Sequence, residues 1–330
     1  MSDEASTHPG VSVIMPVLDE EAHLREAVAA ILASDYAGPL QVVMALGPSR
    51  DDTDAVAEDL VRGDPRVVTV PNPTGRTAAG LNAAIATADH DVIVRVDGHA
   101  VIPPDYVATA VRTLQETGAD NVGGIMGAEG VTPFERAVAA AMTSWFGVGG
   151  AAFHIGGEAG PALTVYLGCF RRSALERVGG FDESMVRAQD WELNHRIRAT
   201  GGIVWFTPAM RVSYRPRGSL RRLGRQYHEY GRWRREVARR HPETVSPRYL
   251  APPLTVIAVG VGTALGVIGA LTGQRGLLWG FALPAGYLAA DLVASARAAR
   301  GLPWSSARWL PAVFATMHGA WGTGFIRGAR

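Results

Sequence analysis

From residue 11 to residue 206, short apolar runs alternate with segments of helical periodicity. A chain patterned this way builds a mainly parallel sheet with crossover helices on its faces. Residues 11–15 read as the first strand, ended by Pro16, and Leu24, Val28, Ile31 and Leu32 mark one face of a helix that Asp19 can cap. Residues 40–46 read as strand two, 51–62 as a helix whose acidic first turn suits its dipole, 66–70 as strand three and 77–88 as the next helix. Strand four spans 91–96 and ends in Asp97-Gly98-His99, after which Pro103 and Pro104 open another helix. Past Asn121 the alternation weakens: a helix is expected over 133–146, a glycine-rich stretch up to Gly160 and a strand over 163–170. The expected class is α/β.

The tail has a different character. Residues 250–271, 277–296 and 309–326 are apolar, each near the ~20 residues that a bilayer span needs. Charged residues make up only 19% of the chain, against about a quarter in a soluble domain. Gln274 and Arg275 separate the first two stretches, which makes them a helical hairpin, and Arg297, Arg300 and Arg308 fall in the loop that follows. Just ahead, residues 211–248 carry 12 Arg against Glu229, Glu236 and Glu243, a net of +9 in a chain whose total is +1. Arginine excess beside spans marks the cytoplasmic side, and the polar, acidic residues 1–10 do not read as a signal peptide. The expected layout is an α/β domain over 1–210, a basic juxtamembrane helical segment over 211–249 and a membrane domain of two to three transmembrane helices over 250–330. The chain would then be multi-pass in a cell (inner) membrane, with the α/β domain on the cytoplasmic face. The third stretch, with His318 and three glycines near its end, fits either a span or an interfacial segment.

One cysteine, Cys169, excludes an intramolecular disulfide framework and a cysteine-based zinc site. In open α/β sheets, ligands bind beyond the carboxyl ends of the strands, which is where strand four delivers Asp97 and His99. In an extended segment, residues i and i+2 point the same way, so carboxylate and imidazole converge on one divalent cation of the kind that bridges a diphosphate. An aspartate turn with a surface histidine is the other reading of the same three residues.

Further motifs stand in register with that one. Residues 11–16 followed by Val17-Leu18-Asp19-Glu20-Glu21 resemble the opening strand and Pro-x-x-Asn-Glu of family 2 glycosyltransferases with the GT-A fold. Ala79-Gly80-Leu81-Asn82-Ala83-Ala84-Ile85 resembles the family's Asn-containing helix, and Arg95-Val96-Asp97-Gly98-His99 its metal and nucleotide motif, usually Asp-x-Asp. Gly179-Gly180-Phe181-Asp182-Glu183 and Gln189-Asp190-Trp191-Glu192-Leu193 resemble its acceptor-side motifs. The resemblance covers residues 11–215. With Tyr230-Gly231-Arg232 and the apolar tail added, the chain resembles in particular membrane-tethered exopolysaccharide transferases of the succinoglycan (ExoA) type.

What the resemblance implies is an inverting single displacement, in which an acceptor hydroxyl attacks the sugar opposite a departing nucleoside diphosphate. Asp190 would be the base. Pro16, Asp19, Glu20, Asp51, Asn82 and Asp97 would bind the nucleotide sugar, and Gln189, Trp191 and Glu192 would lie on the acceptor side. Asp97 and His99 would hold a divalent cation, Mn2+ or Mg2+, that stabilises the leaving group. The partners implied are a nucleotide-sugar donor, a lipid-linked or polysaccharide acceptor and membrane lipids. No nucleic acid is expected, because the arginines of 221–240 precede an apolar tail and suit an anionic bilayer, where each contributes about 1 kcal/mol.

Two positions depart from the family pattern. Ala45-Leu46-Gly47-Pro48-Ser49-Arg50-Asp51 stands where relatives have Asp-Asp-Gly-Ser, so nucleobase recognition falls to Arg50 or Asp51, unless these form a helix-capping turn. Gln189 stands where the family has Glu, which removes a negative neighbour that would raise the pKa of Asp190. Trp145 and Trp191 either stack on sugar or lipid or fill the core, and His154 lies in a glycine-rich stretch, over an acceptor or in solvent. Two other functions fit the same residues: a polyprenyl-phosphate monosaccharide synthase, whose phosphate acceptor needs no strong base, and a non-catalytic membrane scaffold with a transferase-like domain, against which Asn82, Asp97 and Asp190 speak.

Overall fold

The strand at residues 11–17 is apolar on both faces and almost wholly buried, as an inner strand of a parallel sheet is. It is the middle of the fold. The computed structural model describes residues 8–329; residues 1–7, which carry most of the expected N-terminal polar segment, and Arg330 lie outside the described residues. Two units are present: one runs to Gly127 and resumes over Gly156–Tyr214, and the other comprises Ala128–Ile155 and the chain from Arg215 onward. Ala128–Ile155 therefore packs with the tail, although it lies inside the 1–210 segment expected from sequence.

In chain order the elements are β1 (Val11–Val17), α1 (Leu24–Leu32), β2 (Leu40–Leu46), α2 (Thr53–Gly63), β3 (Val67–Pro71), α3 (Thr77–Thr87), β4 (Val92–Arg95), α4 (Tyr106–Thr117) and β5 (Asn121–Ala128). The second unit contributes α5 (Pro133–Met142), α6 (Trp145–Val148) and α7 (Ala152–Ile155); β6 (Gly160–Pro161), β7 (Tyr166–Arg171), α8 (Arg172–Val178), α9 (Gln189–Ala199) and β8 (Val204–Tyr214) follow in the first. The tail holds α10 (Leu220–Arg240), α11 (Pro247–Thr272), a 3-10 segment at Arg275–Phe281, α12 (Ala282–Ala298), α13 (Trp304–Ala307) and α14 (Leu310–Arg327).

In the first unit the strands form one sheet in the order β3-β2-β1-β4-β7-β5-β8-β6. β1 pairs in parallel with β2 and β4, and β2 with β3; β4 with β7, β5 with β7 and β6 with β8 are antiparallel. Val13, Met15, Leu24, Val28 and Ile31 pack with Tyr106, Val107 and Leu114 of α4 in a single apolar core. Chain order reverses between β1 and β4, so their carboxyl ends flank the switch point at which open α/β sheets bind ligands. Pro16 is tolerated in this inner strand because the β4 pairing stops at Ile14 opposite Arg95. β5 contains Gly123 and Gly124; a Cβ on Gly124 would lie 1.8 Å from the carbonyl oxygen of Met210, so only glycine admits β8 at that distance.

Asp19 does not cap α1, as its position had suggested. It sits at φ +55, four residues before the helix N-cap at His23, and its Oδ1 accepts the backbone N–H of Arg50 at 2.8 Å.

In the second unit, glycines set the helix packing. A Cβ on Gly231 of α10 would come within 2.0 Å of the Trp321 carbonyl oxygen, and one on Gly324 of α14 within 2.0 Å of that of His228. Backbone therefore meets backbone along this seam, which explains the glycine of Tyr230-Gly231-Arg232. In α11, Gly262, Gly266 and Gly269 face Gly280, Phe281 and Leu277 at similarly close range, the small-residue contact typical of membrane helix pairs. Two helical segments among the described residues are long and apolar enough to cross a membrane, Pro247–Thr272 and Arg275–Ala298. The third apolar stretch is not among them: α14 buries Leu310, Val313, Phe314 and Met317 and gives its glycine seam to α10.

Candidate active site

Three loops meet at the switch point. The β1–α1 loop and the β2–α2 loop are stitched together: Asp19 N–H donates to Ser49 Oγ, Glu20 N–H to Thr53 Oγ1 at 2.8 Å, Glu21 N–H to Asp51 Oδ2, and Asp52 N–H back to Glu21 Oε2. Asp51 also accepts from the Thr53 backbone at 3.2 Å, and hydrogen bonds, chiefly from Thr53, hold its exposed carboxyl below the usual range. These bonds place Asp51 in the turn that opens α2. A cleft of about 560 Å³ opens beside this turn, between α2 and the carboxyl ends of β2 and β3, with Asp54, Glu58 and Arg62 on its wall.

The third loop follows β4. Asp97-Gly98-His99 is a turn closed by Ala100 N–H to Asp97 O at 2.9 Å, so the extended geometry expected for Asp97 and His99 does not occur, and the two side chains take different partners. His99 Nδ1 lies 2.7 Å from Glu20 Oε1, and Gly98 gives Glu20 room, since a Cβ there would sit 3.0 Å from Glu20 Cγ. Asp97 is held by Arg95, whose Nε and Nη2 donate to Oδ1 at 3.1 and 2.9 Å.

Arg95 is the residue that sequence reading left without a role. Its side chain is 5% exposed, and its Nη1 donates to Asp190 Oδ1 in a second ion pair. Burying a cation is costly unless it is paired, and here two carboxylates pair it. Burial pushes the Asp190 carboxyl up, Arg95 pulls it down and the charge of Asp97 pushes it up again, with the net direction upward. The Asp190 side chain keeps 29% exposure, so solvent screens part of that effect. The negative neighbour lost at Gln189 is thus supplied by Asp97, from the loop after β4.

The acceptor-side motifs separate into two groups. Asp190 and Trp191 lie in the first turn of α9, with the Trp191 ring stacked on His195 at 5.7 Å. Gln189 is buried. Glu192 is buried as well and forks onto Arg196 at 2.7 Å through both oxygens, while Arg196 donates to the Val178 and Gly180 carbonyls at 2.5 and 2.8 Å. Asn82 braces the same turn: its Nδ2 donates to Phe181 O at 2.9 Å and Glu183 Oε1 at 3.0 Å, and its Oδ1 accepts Phe181 N–H at 2.8 Å. Both amide hydrogens of Asn82 are used, so Asn82 braces the turn, as Glu192 braces Arg196. Gly180 at φ +72 lets the loop approach, since a Cβ would sit 2.7 Å from Asn82 Oδ1. In the second unit, Trp145 is 74% exposed and not a core residue, and His154 belongs to α7 with a buried Nδ1.

A family model described as glycosyl transferase family 2 matches residues 12–179. The chain is 31% identical over 332 residues to the succinoglycan biosynthesis protein ExoA of Rhizobium meliloti (strain 1021), covering 99% of this chain and 97% of that one. It is 36% identical over 130 residues to an N-acetylglucosaminyltransferase of Azorhizobium caulinodans, 38% of this chain and 32% of the relative. The solved structure of the mannosyltransferase PcManGT from Pyrobaculum calidifontis, in complex with GDP-Man and Mn2+, aligns with a TM-score of 0.61 and 22% identity over 98% of this chain and 87% of that chain, a likeness of fold. The chain therefore belongs to glycosyltransferase family 2, is a transferase, and carries the GT-A fold in its α/β unit.

Proposed function

We propose that this chain is a membrane-anchored, inverting glycosyltransferase that moves a sugar from a nucleoside-diphosphate donor to a hydroxyl of a lipid-linked or growing polysaccharide acceptor at the cytoplasmic face of the cell membrane. The observation that carries the chemistry is the pairing of Asp97 and Asp190 on one buried guanidinium. It supports reading Asp97 as the donor-side carboxylate and Asp190, in the first turn of α9, as the base beside it. Asp190 takes the proton of the acceptor hydroxyl as its oxygen bonds to the anomeric carbon and the bond to the diphosphate oxygen breaks, so the configuration inverts. A carboxyl with an upward-shifted pKa is a stronger base than an ordinary aspartate, which suits this task.

For the divalent cation, Glu20 and His99 are in contact, and Asp97 precedes His99 in the same turn; carboxylate and imidazole are ligand types that manganese or magnesium accepts. When bound there, the cation supplies charge stabilisation to a leaving diphosphate. The GDP-Man and Mn2+ of PcManGT support this choice of donor class and metal, and the name of the Rhizobium relative supports a polysaccharide product.

Membrane anchoring is supported by the exterior of the hairpin. Leu254, Ile257, Val261, Leu271, Leu288 and Leu292 face outward, a larger apolar surface than a water-soluble protein leaves open. The exposed Arg221, Arg222, Arg225 and Arg235 of α10 suit an anionic bilayer surface.

The test is a screen of nucleotide sugars with the purified full-length protein in detergent, with Mn2+ and after EDTA. One donor should be hydrolysed slowly and transferred when acceptor is added, with loss of both in EDTA and return on adding metal. Proton NMR of the product should show a β linkage from an α-linked donor. A retained anomeric configuration would overturn the mechanism, and full activity in EDTA would overturn the metal.

A further inference from the structure

His318 of α14 ties three helices of the second unit together. Its Nε2 donates to the Phe146 carbonyl of α6 at 2.8 Å, which leaves Nδ1 to accept the Tyr287 hydroxyl of α12 at 3.1 Å. The Phe146 ring packs edge-on against Phe314 and His318, with centroids 5.2 and 4.7 Å apart. Gly147 lets the turn come close, since a Cβ there would lie 2.1 Å from the Ala141 carbonyl oxygen and 3.1 Å from Met317 Cε. The short α6 is therefore fixed to α14 and, through His318, to Tyr287.

Tyr287 lies midway along Arg275–Ala298, one of the two segments long and apolar enough to cross a membrane. α12 is inside out for a helix in water. Asp291 and Ser295 are its buried residues, with Ser295 Oγ donating to Asp291 Oδ1 at 3.1 Å, while Leu283, Leu288, Leu292 and Val293 are exposed. Polar groups turned inward and leucine turned outward mark a helix surrounded by lipid. Trp279, toward one end of the segment, and Trp304, just past the other, are exposed as well, as indoles are where a span meets the headgroups. The stretch between Trp279 and Ala298 rises ~30 Å, which matches a hydrocarbon core.

Trp145 is the exposed neighbour of Phe146. Because Phe146 is bonded in at the level of Tyr287, the indole opens at a depth where the outside of the hairpin is apolar. A glycan stacked on this ring would need water above it, which that depth does not offer. α14 also meets α11 where Gly322 approaches Pro252 and Val256, in the half of α11 that follows the arginine-rich segment, so these helices lie toward the cytoplasmic leaflet. The turn itself suits lipid, in which backbone polar groups must find partners within the protein. Gly147 N–H donates to Ser144 Oγ at 3.1 Å, Val148 N–H to the Ser144 carbonyl at 3.1 Å and Gly149 N–H to the Trp145 carbonyl at 2.7 Å, while Ser144 Oγ donates to the Ala141 carbonyl at 2.8 Å. An indole, apolar with a single N–H donor, fits the boundary between acyl chains and headgroups.

We propose that Trp145 is a second membrane contact outside the hairpin: α6 is embedded in the cytoplasmic leaflet and the indole lies among lipid at the boundary of acyl chains and headgroups, whatever the headgroup. This rests on reading the α11–α12 hairpin as the membrane anchor.

Nitroxide labels on single cysteines test it, with Trp145→Cys, Leu288→Cys and Glu58→Cys each made in the full-length protein and reconstituted in vesicles of phosphatidylcholine and phosphatidylglycerol. Cys169 is buried and stays unlabelled. Power saturation reads collisions with oxygen, which concentrates in lipid, and with a nickel chelate, which stays in water. Oxygen should dominate at positions 145 and 288, and nickel at position 58 on the exposed side of α2. Nickel dominating at position 145, as for an indole held in water for a glycan, would overturn the contact, and so would a label that neither reagent reaches, as under a second copy of the chain. The wild-type protein gives a reading that needs no variant: a carbene-generating lipid should tag the peptide containing Trp145 together with α11 and α12 and spare α2. A hairpin tagged without Trp145 would again overturn the contact. Leu288→Cys separates the two readings, since lipid at 288 with water at 145 sinks this contact alone, whereas nickel dominating at 288 sinks the hairpin as anchor and the contact with it.

Discussion

Arg95 of β4 holds Asp190 of α9 through its Nη1, across 95 residues of sequence, while its other nitrogens hold Asp97. The guanidinium is buried between two carboxylates that the proposed reaction uses in different ways. Whatever changes the charge on one of them is therefore felt by the other through Arg95.

Removing that guanidinium should move the pH dependence in a known direction. Arg95 lowers the Asp190 carboxyl, whereas burial and Asp97 raise it, so Arg95→Gln leaves only the raising influences. An opposite charge at contact distance shifts a carboxyl by about 1–3 units. A base works only when deprotonated, and its contribution is lost as pH falls through its pKa. The acid limb of kcat/KM in Arg95→Gln should therefore move to higher pH by ~1 unit. An acid limb that stays in place, in a folded variant with measurable turnover, would remove Asp190 from the base role or Arg95 from its control.

Asp190→Asn keeps the shape of the side chain and removes the proton acceptor. Turnover should fall by about 10² to 10⁴, the usual loss for a general base, with donor KM nearly unchanged. A donor KM that rises as steeply as kcat falls would place Asp190 in donor binding.

The turn at Gly179–Glu183 is predicted to fail when either of its braces is changed. Asn82→Ala removes the hydrogen bonds to Phe181 and Glu183, a loss of about 1–3 kcal/mol for part-buried polar groups left unpaired. Gly180→Ala must hold φ +72 with its Cβ 2.7 Å from Asn82 Oδ1, costing at least ~1 kcal/mol. Both should lower the thermal midpoint and raise acceptor KM while leaving donor KM within about twofold, which is a change of no more than ~0.4 kcal/mol in donor binding. A selective rise in donor KM for Asn82→Ala would instead restore it as a nucleotide contact.

The parallel half of the sheet was legible because its strands are buried on both faces and read as apolar runs, and its helices carry one apolar stripe each. β5 was not, because Gly123 and Gly124 are there for close approach to Val165 and Met210, which leaves the strand without the side chains that announce one. Asn82, Glu192 and Asp51 have the chemistry of ligands, and the structure adds partners that spacing does not reveal, backbone, carboxylate and arginine groups up to 101 residues away or just across a turn. Arg95 carried a signal of its own: a charged side chain in the last position of an inner strand is unstable unless carboxylates await it, which adds to what Asp97 and His99 already indicate at the end of that strand. The third apolar stretch fits a span or an interfacial segment by composition alone, and what composition could not show is that α14 meets the backbone of α10 at Gly231 and Gly324.

That seam also decides the expected topology. α10 is too rich in arginine to enter a bilayer, and α14 lies backbone to backbone against it, so α14 should stay on the side of α10 and only the α11–α12 hairpin should cross. Arg297, Arg300 and Arg308 keep the following loop inside, which puts the turn at Gln274 outside. Single cysteines introduced at 274, 303 and 329 test this without replacing Cys169, because that thiol is fully buried and burial pushes its pKa up to about 12. An impermeant thiol reagent applied to whole cells should label 274 and spare 303 and 329 until the membrane is opened. Labelling at 329 from outside would make α14 a third span, and labelling at 303 from outside would reverse the orientation of the hairpin and place the transferase unit on the wrong side of its nucleotide-sugar supply.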